Sequence, residues 1–357
     1  MASKSATALV GAGVFCLALG GLTLVVAQPA LLKAPTTETS IQIGTGPASK
    51  LDAGTGRQVT GTFTSRRVIG THVENGKKLG GSDLSVFDSF TTNTFTSAAG
   101  VSNVVSQSKY TQAFDRKSGS GVPTAKGDDV ESTAHIFKLP FGTQKKTYQF
   151  WDSQAEKAFP LVYVGEKTVS GLKVYEFKQD VTPTDLGPVP VLKAVPGALV
   201  GHPELGSLSA DQWVENLNKR VYVEPVSGRL VGGLSNPHVW AQTTDTQLPG
   251  LKLDLLTVTG AHPDATSQAE LLKDAKDARS STLLLQRAPW VLGVLGLLLL
   301  AGGVALGRRK RVIALPDSGP LDSTAPAAAR DRARPDVSGV LPEARREGAV
   351  DLTKGPS

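Results

Sequence analysis

The side chains best suited to chemistry near neutral pH are five histidines, His72, His135, His202, His238 and His262. They are scattered, without the His-Glu-x-x-His spacing or any other ligand set, and the only cysteine, Cys16, sits in an apolar run, so no metal site is expected. His135 stands beside Ile136 and Phe137 on an expected strand and reads as a structural side chain rather than a base. No Gly-x-Ser-x-Gly elbow offers an acyl-transfer nucleophile. The stretch from Gly44 to Lys50 carries glycines but lacks the Gly-Lys-Ser/Thr ending of a phosphate loop, and reads as a flexible segment. What remains for acid-base work is a loose carboxylate group, Asp128, Asp129 and Glu131. The expectation is a non-enzymatic protein without cofactor or metal.

Two uninterrupted apolar segments, residues 6–27 and 288–306, enclose almost everything else. Each has roughly the 20 residues a helix needs to cross ~30 Å of hydrocarbon, and neither contains a charge, so both read as transmembrane helices. Arg308-Arg309-Lys310-Arg311 follows the second at once, which places residues 307–357 in the cytoplasm. With two crossings, residues 1–5 lie on that side too, and residues 28–287 outside. A cleaved signal peptide is the alternative for the first segment, because Val25-Val26-Ala27 satisfies the small-residue rule; its apolar stretch exceeds the usual signal core. Part of the net charge of +6 is the block after the second span, so nucleic acid is not an expected partner.

The exterior region must be stable without a disulfide, since Cys16 lies in the first span. Residues 42–181 are rich in Thr, Ser, Val and Gly, with alternating stretches such as Lys173-Val174-Tyr175-Glu176-Phe177. The predicted fold class is mainly β (α+β): a large antiparallel β-rich extracellular domain between two terminal transmembrane helices, followed by a disordered C-terminal tail. Two turns share a spacing, Asp115 to Gly119 and Glu224 to Gly228, and the second is expected to close a hairpin with Gly228 at positive φ. Residues 264–286 read as a membrane-proximal helix, capped by Asp264 and leading into the second span past Pro289.

Between Thr182 and Asp211, prolines interleaved with apolar residues argue against a regular helix or central strand. Within it Leu186, Pro188, Val189, Pro190, Val191, Leu192, Val195, Pro196, Leu199 and Val200 form a candidate apolar lip for a ligand or membrane, against the alternative of a loop covering the sheet. In the spans, Ala8, Ala12, Cys16 and Gly20 recur every four residues, and Gly303 and Gly307 make a small-xxx-small pair. These small faces are expected to pack the two helices together.

The stretch Leu139-Pro140-Phe141-Gly142-Thr143, continuing through Lys146-Thr147-Tyr148, Trp151-Asp152, Tyr163-Val164-Gly165 and Gly171-Leu172-Lys173-Val174-Tyr175-Glu176-Phe177, is the most distinctive in the chain. With a span at each end, it resembles the actinobacterial envelope family of porin PorA-like proteins. That resemblance implies a channel. Two helical crossings are too few to enclose a water-filled lumen in one copy, so a pore would require an oligomer. The layout is also similar to that of scavenger-receptor class B proteins, whose exterior domain carries a lipid-conducting tunnel; the analogy is one of architecture alone. The leading expectation is an exterior domain that binds or conducts an apolar, lipid-like envelope molecule. The alternatives are an oligomeric porin and a non-transport envelope scaffold. Expected partners are membrane lipid and an envelope lipid or cell-wall component.

Overall fold

The computed structural model describes residues 4–34, 39–78, 83–123, 132–188 and 194–309. The tail from Lys310 onward, the carboxylates Asp128, Asp129 and Glu131, and the lip residues Val189, Pro190, Val191 and Leu192 lie outside the described residues.

The chain enters through α1 (Lys4–Leu22), a π-helical turn (Thr23–Ala27) and α2 (Gln28–Leu31), and leaves through one long helix, α4 (Ala265–Arg309), with α3 (Val73–Lys78) a short insertion between strands. The strands are β1 (Thr39–Asp52), β2 (Arg57–His72), β3 (Leu84–Ser97), β4 (Ser102–Asp115), β5 (Tyr148–Asp152), β6 (Lys157–Val169), β7 (Leu172–Pro188), β8 (Val195–Pro196), β9 (Ser207–Leu208), β10 (Ala210–Val223), β11 (Leu230–Leu234), β12 (Pro237–Thr243), β13 (Lys252–Val258) and β14 (His262–Pro263). Twelve form one antiparallel sheet, in the order β4-β3-β2-β1-β13-β12-β10-β7-β6-β5, with β11 on β10 and β14 on β1. A large antiparallel sheet flanked by two apolar helices is the architecture that period-two alternation and the terminal apolar runs predicted.

The two edge strands do not stay open. His135 bridges Ser120, just beyond β4, and Phe150 of β5, so a backbone relay links one edge to the other. Gly121 N–H donates to Ala134 (3.0 Å), His135 N–H to Gln149 (2.9 Å) and Trp151 N–H to His135 (2.8 Å). Satisfying these edge groups removes a template for strand addition from other chains. Beneath the relay, Phe87, Tyr110, Phe114 and Ile136 form a buried cluster with Phe137 and Trp151 against it. Each fully buried side chain of this kind contributes about 1.5–3 kcal/mol, which holds the closure where backbone bridges are few.

Four turns use one device. Asp52 accepts hydrogen bonds from the N–H of Gly54 and Thr55, Asp115 from Lys117 and Ser118, Asp152 from Gln154 and Ala155, and Glu224 from Val226 and Ser227. The fifth residue of each turn has positive φ: Gly56, Gly119, Glu156 and Gly228. Gly228, at φ 73, closes the β10–β11 hairpin as expected. The turn is also gripped from outside: Leu139 N–H donates to Gly228, Gly142 N–H to Val226 and Thr143 N–H to Pro225. The distinctive Leu139–Thr143 stretch is therefore a backbone clamp on this turn.

The proline-rich segment departs from expectation. β7 runs as strand through Pro183 to Pro188. Its pairing with β6 ends at Gln179, so from there to Pro188 it is bonded on one side alone, by β10, with register shifts. An edge lacking one partner, broken by bulges, is where a strand tolerates proline. The lip expectation also needs correcting at Val195, which is fully buried against Ala210 and Ala241, with Val200 packed beside it. Apolar side chains over a sheet face gain more from burial than from exposure, so these two act as cover. Leu186, Pro188 and Pro196 are exposed, and Leu199 is half-buried next to Gly56.

The helix α4 begins where Asp264 caps it, its carboxylate accepting from Ser267 N–H at 2.7 Å. Its first half lies on the sheet: Leu272 and Ala275 pack on Leu172, Val174 and Val231, and Arg279 donates at 2.7 Å to the fully buried Glu224. Pro289 lies inside the helix, whose second half packs against α1. Both helices are long and apolar enough to cross a membrane. A Cβ on Gly13 would stand 2.8 Å from the Gly296 carbonyl oxygen, one on Gly20 3.2 Å from that of Pro289, and one on Gly303 3.1 Å from that of Ala6. The contacting positions thus recur every seven residues on each helix, antiparallel. Gly20 and Gly303 are at the contact, but Ala8 and Ala12 are exposed, Cys16 is half-buried, and Gly307 has open space where a Cβ would go. A four-residue step overshoots a full turn by about 40°, whereas seven residues fall about 20° short of two turns, so the heptad Ala6, Gly13, Gly20 holds one face while the Ala8 series winds away.

Candidate functional site

The alternation of β2 places Phe63, Ser65, Arg67, Ile69 and Thr71 on one face of the sheet, while its other face carries Thr62, Thr64 and Arg66. The first face, with β1, β3, β4, β10, β11, the 136–141 segment and the first half of α4, encloses a cavity of about 720 Å³. The cavity reaches Leu31 and Leu285, where α2 and α4 approach each other and Gln28 Nε2 donates to the Leu285 carbonyl at 2.8 Å. It therefore sits directly at the head of the helix pair.

Six cationic and four anionic side chains line it among the described residues. Most are compensated. Lys33 pairs with Asp83 at 2.5 Å, Lys219 with Asp152 at 2.8 Å, Arg220 with Glu176 at 3.9 Å and Arg229 with Asp274 at 4.0 Å. Burial alone would raise the Asp152 carboxyl; the Lys219 ammonium and the N–H groups of Ala155 and Gln154 outweigh it and leave the group below its ordinary value.

Arg67 and Lys138 are different. Arg67 Nε donates to Ser89 Oγ at 2.9 Å and Nη2 to the Tyr110 hydroxyl, and the guanidinium lies over Phe87 and Tyr110; no carboxylate is paired with it among the described residues. Lys138 is 4 % exposed, with its Nζ 3.9 Å above the Phe141 ring and 3.4 Å from the Lys117 carbonyl oxygen. Burial pushes its ammonium down to about 7, Arg229 pushes the same way, and Asp115 offsets part of it. Asn93, 8 % exposed, donates to Ser106 Oγ, and its Oδ1 has no partner among the described residues. Around these groups stand the hydroxyls of Ser65, Thr91 and Ser108.

None of the described lip residues lines this cavity. His135 is buried edge-on to Tyr148, and its imidazole is held neutral down to about 4, mainly by burial, consistent with a structural role. Sequence reasoning missed Arg67, Asn93 and Lys138. For Arg67 the signal was available: on the face of β2 that carries Phe63 and Ile69, an arginine is out of place unless that face borders a polar space.

The outer face of the sheet bears Arg66, Asp88 and Lys109 on adjacent strands. An arginine or lysine on a lipid-facing strand costs about 2–4 kcal/mol at mid-bilayer, which argues against β2 to β4 as staves of a membrane barrel.

The family model described as Porin PorA matches residues 5–305, from the first helix through the sheet to the second. A Porin PorA of Corynebacterium resistens is 23% identical over 232 residues, covering 49% of this chain and 56% of the relative. A Porin PorA of Corynebacterium amycolatum is 26% identical over 199 residues, covering 45% of this chain and 50% of the relative. The chain thus spans about half the length of the curated relatives it matches. The family match takes in both helices and the entire sheet that encloses the cavity, and on that extent the chain belongs to the Porin PorA family.

Proposed function

We propose that this protein is a channel-forming envelope membrane protein, a porin subunit held by its two helices, with the cavity as a water-filled vestibule at their head. The family match across residues 5–305 carries the reading. The ten charged side chains and the hydroxyls set among the apolar residues of its wall support it, since those groups suit hydrated solutes. The helix pair itself leaves no lumen, because the glycine contacts bring its backbones together. The conducting path must then form between copies, and the polar outer face of the sheet makes helices rather than strands the membrane part. The apolar-ligand role that the sequence put first has less support: ten charged side chains line the cavity, and the described lip residues do not. In this topology both termini are cytoplasmic and the sheet domain lies outside.

Planar-bilayer recording of the full chain tests the proposal. Discrete conductance steps whose frequency rises more steeply than linearly with protein concentration are expected. Silence at every concentration, with the protein shown to be inserted, refutes it.

A further inference from the structure

We infer that the cavity holds a binding site for an anionic group, a phosphate or carboxylate with a neighbouring hydroxyl, centred on Arg67 and Asn93. The inference takes the cavity to be the vestibule of the porin reading but is read out by binding, so a channel that fails to conduct leaves it standing, and a site that fails to bind leaves conductance untouched.

The first ground is an uncompensated cation in a compensated wall. Four of the six cationic lining residues have carboxylate partners, whereas Arg67 and Lys138 have none among the described residues. Arg67 is also fixed in place: Ser89, the Tyr110 hydroxyl and two aromatic rings hold the guanidinium, and its Nη1 has no hydrogen-bond partner among the described residues. A planar donor fork held rigid with one edge unused is suited to an oxyanion, because the ordering entropy of the side chain has already been lost.

The second ground is the acceptor beside it. Asn93 is nine-tenths buried, lines the same cavity, and has one amide atom unbonded among the described residues while the other meets Ser106. A buried polar atom without a partner destabilises the fold, so a ligand hydroxyl or a water is the expected occupant. Thr91 faces Arg67 across the strands, and Asn93 faces Ser65, so the free fork and the free amide lie two residues apart on neighbouring strands. Lys138 lines the same cavity, and an anion beside its buried amine would favour the protonated, charged form. The lining carboxylate with no cation partner among the described residues, Glu270, is exposed on α4.

The full chain in phosphatidylcholine nanodiscs, titrated calorimetrically with inorganic phosphate, tests this. Wild-type protein should bind, and Arg67→Gln should bind at least tenfold more weakly. Thr91→Glu supplies Arg67 with the carboxylate it lacks, at cross-strand distance, and should abolish binding without loss of fold, which keeps the test sound if Arg67→Gln proves unstable. Discs containing phosphatidylglycerol separate the sources. If the anionic group belongs to a lipid, wild type retains phosphatidylglycerol through detergent extraction, the variants do not, and the retained lipid blocks phosphate. Phosphate binding equally to wild type and both variants, or wild type taking up neither phosphate nor phosphatidylglycerol, overturns the inference.

Discussion

Replacing Lys138 by methionine should change how stability depends on pH in a calculable way. In the folded protein burial lowers this ammonium from 10.5 to about 7, with Arg229 adding to the effect and Asp115 opposing it. Above about pH 10.5 both folded and unfolded chains carry the neutral amine and the group has no effect. Between 7 and 10.5 the unfolded chain binds a proton that the folded chain does not, so stability rises with pH. Below 7 the folded chain must bury the charge as well, and the full penalty is present. A one-unit difference is worth about 1.4 kcal/mol, so wild type should gain about 2 kcal/mol relative to Lys138→Met between pH 7 and pH 9. Of the groups facing Lys138, His135 is already neutral from about pH 4 upward and so does not titrate in this window. Methionine keeps the length of the side chain and its contact with Phe141 while removing the titration. The measurement is denaturant unfolding of the full chain in detergent, followed by tryptophan fluorescence, in phosphate-free buffers at pH 7 and 9. Equal pH dependence in the two proteins would mean that Lys138 is solvated or already neutralised, and the reasoning from its burial would fail.

At Gly228 a side chain faces more than an unfavourable φ, because a Cβ would meet the Leu139 carbonyl oxygen at 2.0 Å and that of Pro140 at 2.6 Å. Gly228→Val should therefore destabilise by about 3 kcal/mol, combining backbone strain with the steric overlap of the clamp, and an unchanged thermal midpoint would rule out this geometry. For the helix pair, Ala6→Cys with Gly303→Cys in a Cys16→Ala background should cross-link within one chain under mild oxidation, and Ala12→Cys with Gly303→Cys should not; equal cross-linking of both pairs would refute the heptad contact.

The sequence by itself determined the parts of this protein that depend on local composition. Apolar length specified the two helices, period-two alternation specified strands, and Asp264 and the Glu224 to Gly228 turn marked a helix start and a hairpin, because caps and turns depend on residues a few positions apart. It could not place Pro183 and Pro188 in a strand, since whether a strand can hold proline depends on which of its sides is paired, and that is set by β6 ending its pairing at Gln179. Nor could a repeat of small residues identify the helix contact. Several faces of α1 carry Ala or Gly, and the partner's own glycines, Gly296 and Gly303, select the heptad through Ala6, Gly13 and Gly20. The cavity belonged wholly to the tertiary structure. Arg67, Asn93 and Lys138 are separated by 26 and 45 residues in the chain, and they line one space only because the sheet turns its inner face toward the first half of α4. Whether a charged side chain is compensated depends on neighbours far away in sequence: Lys219 finds Asp152, and Arg67 finds no carboxylate among the described residues.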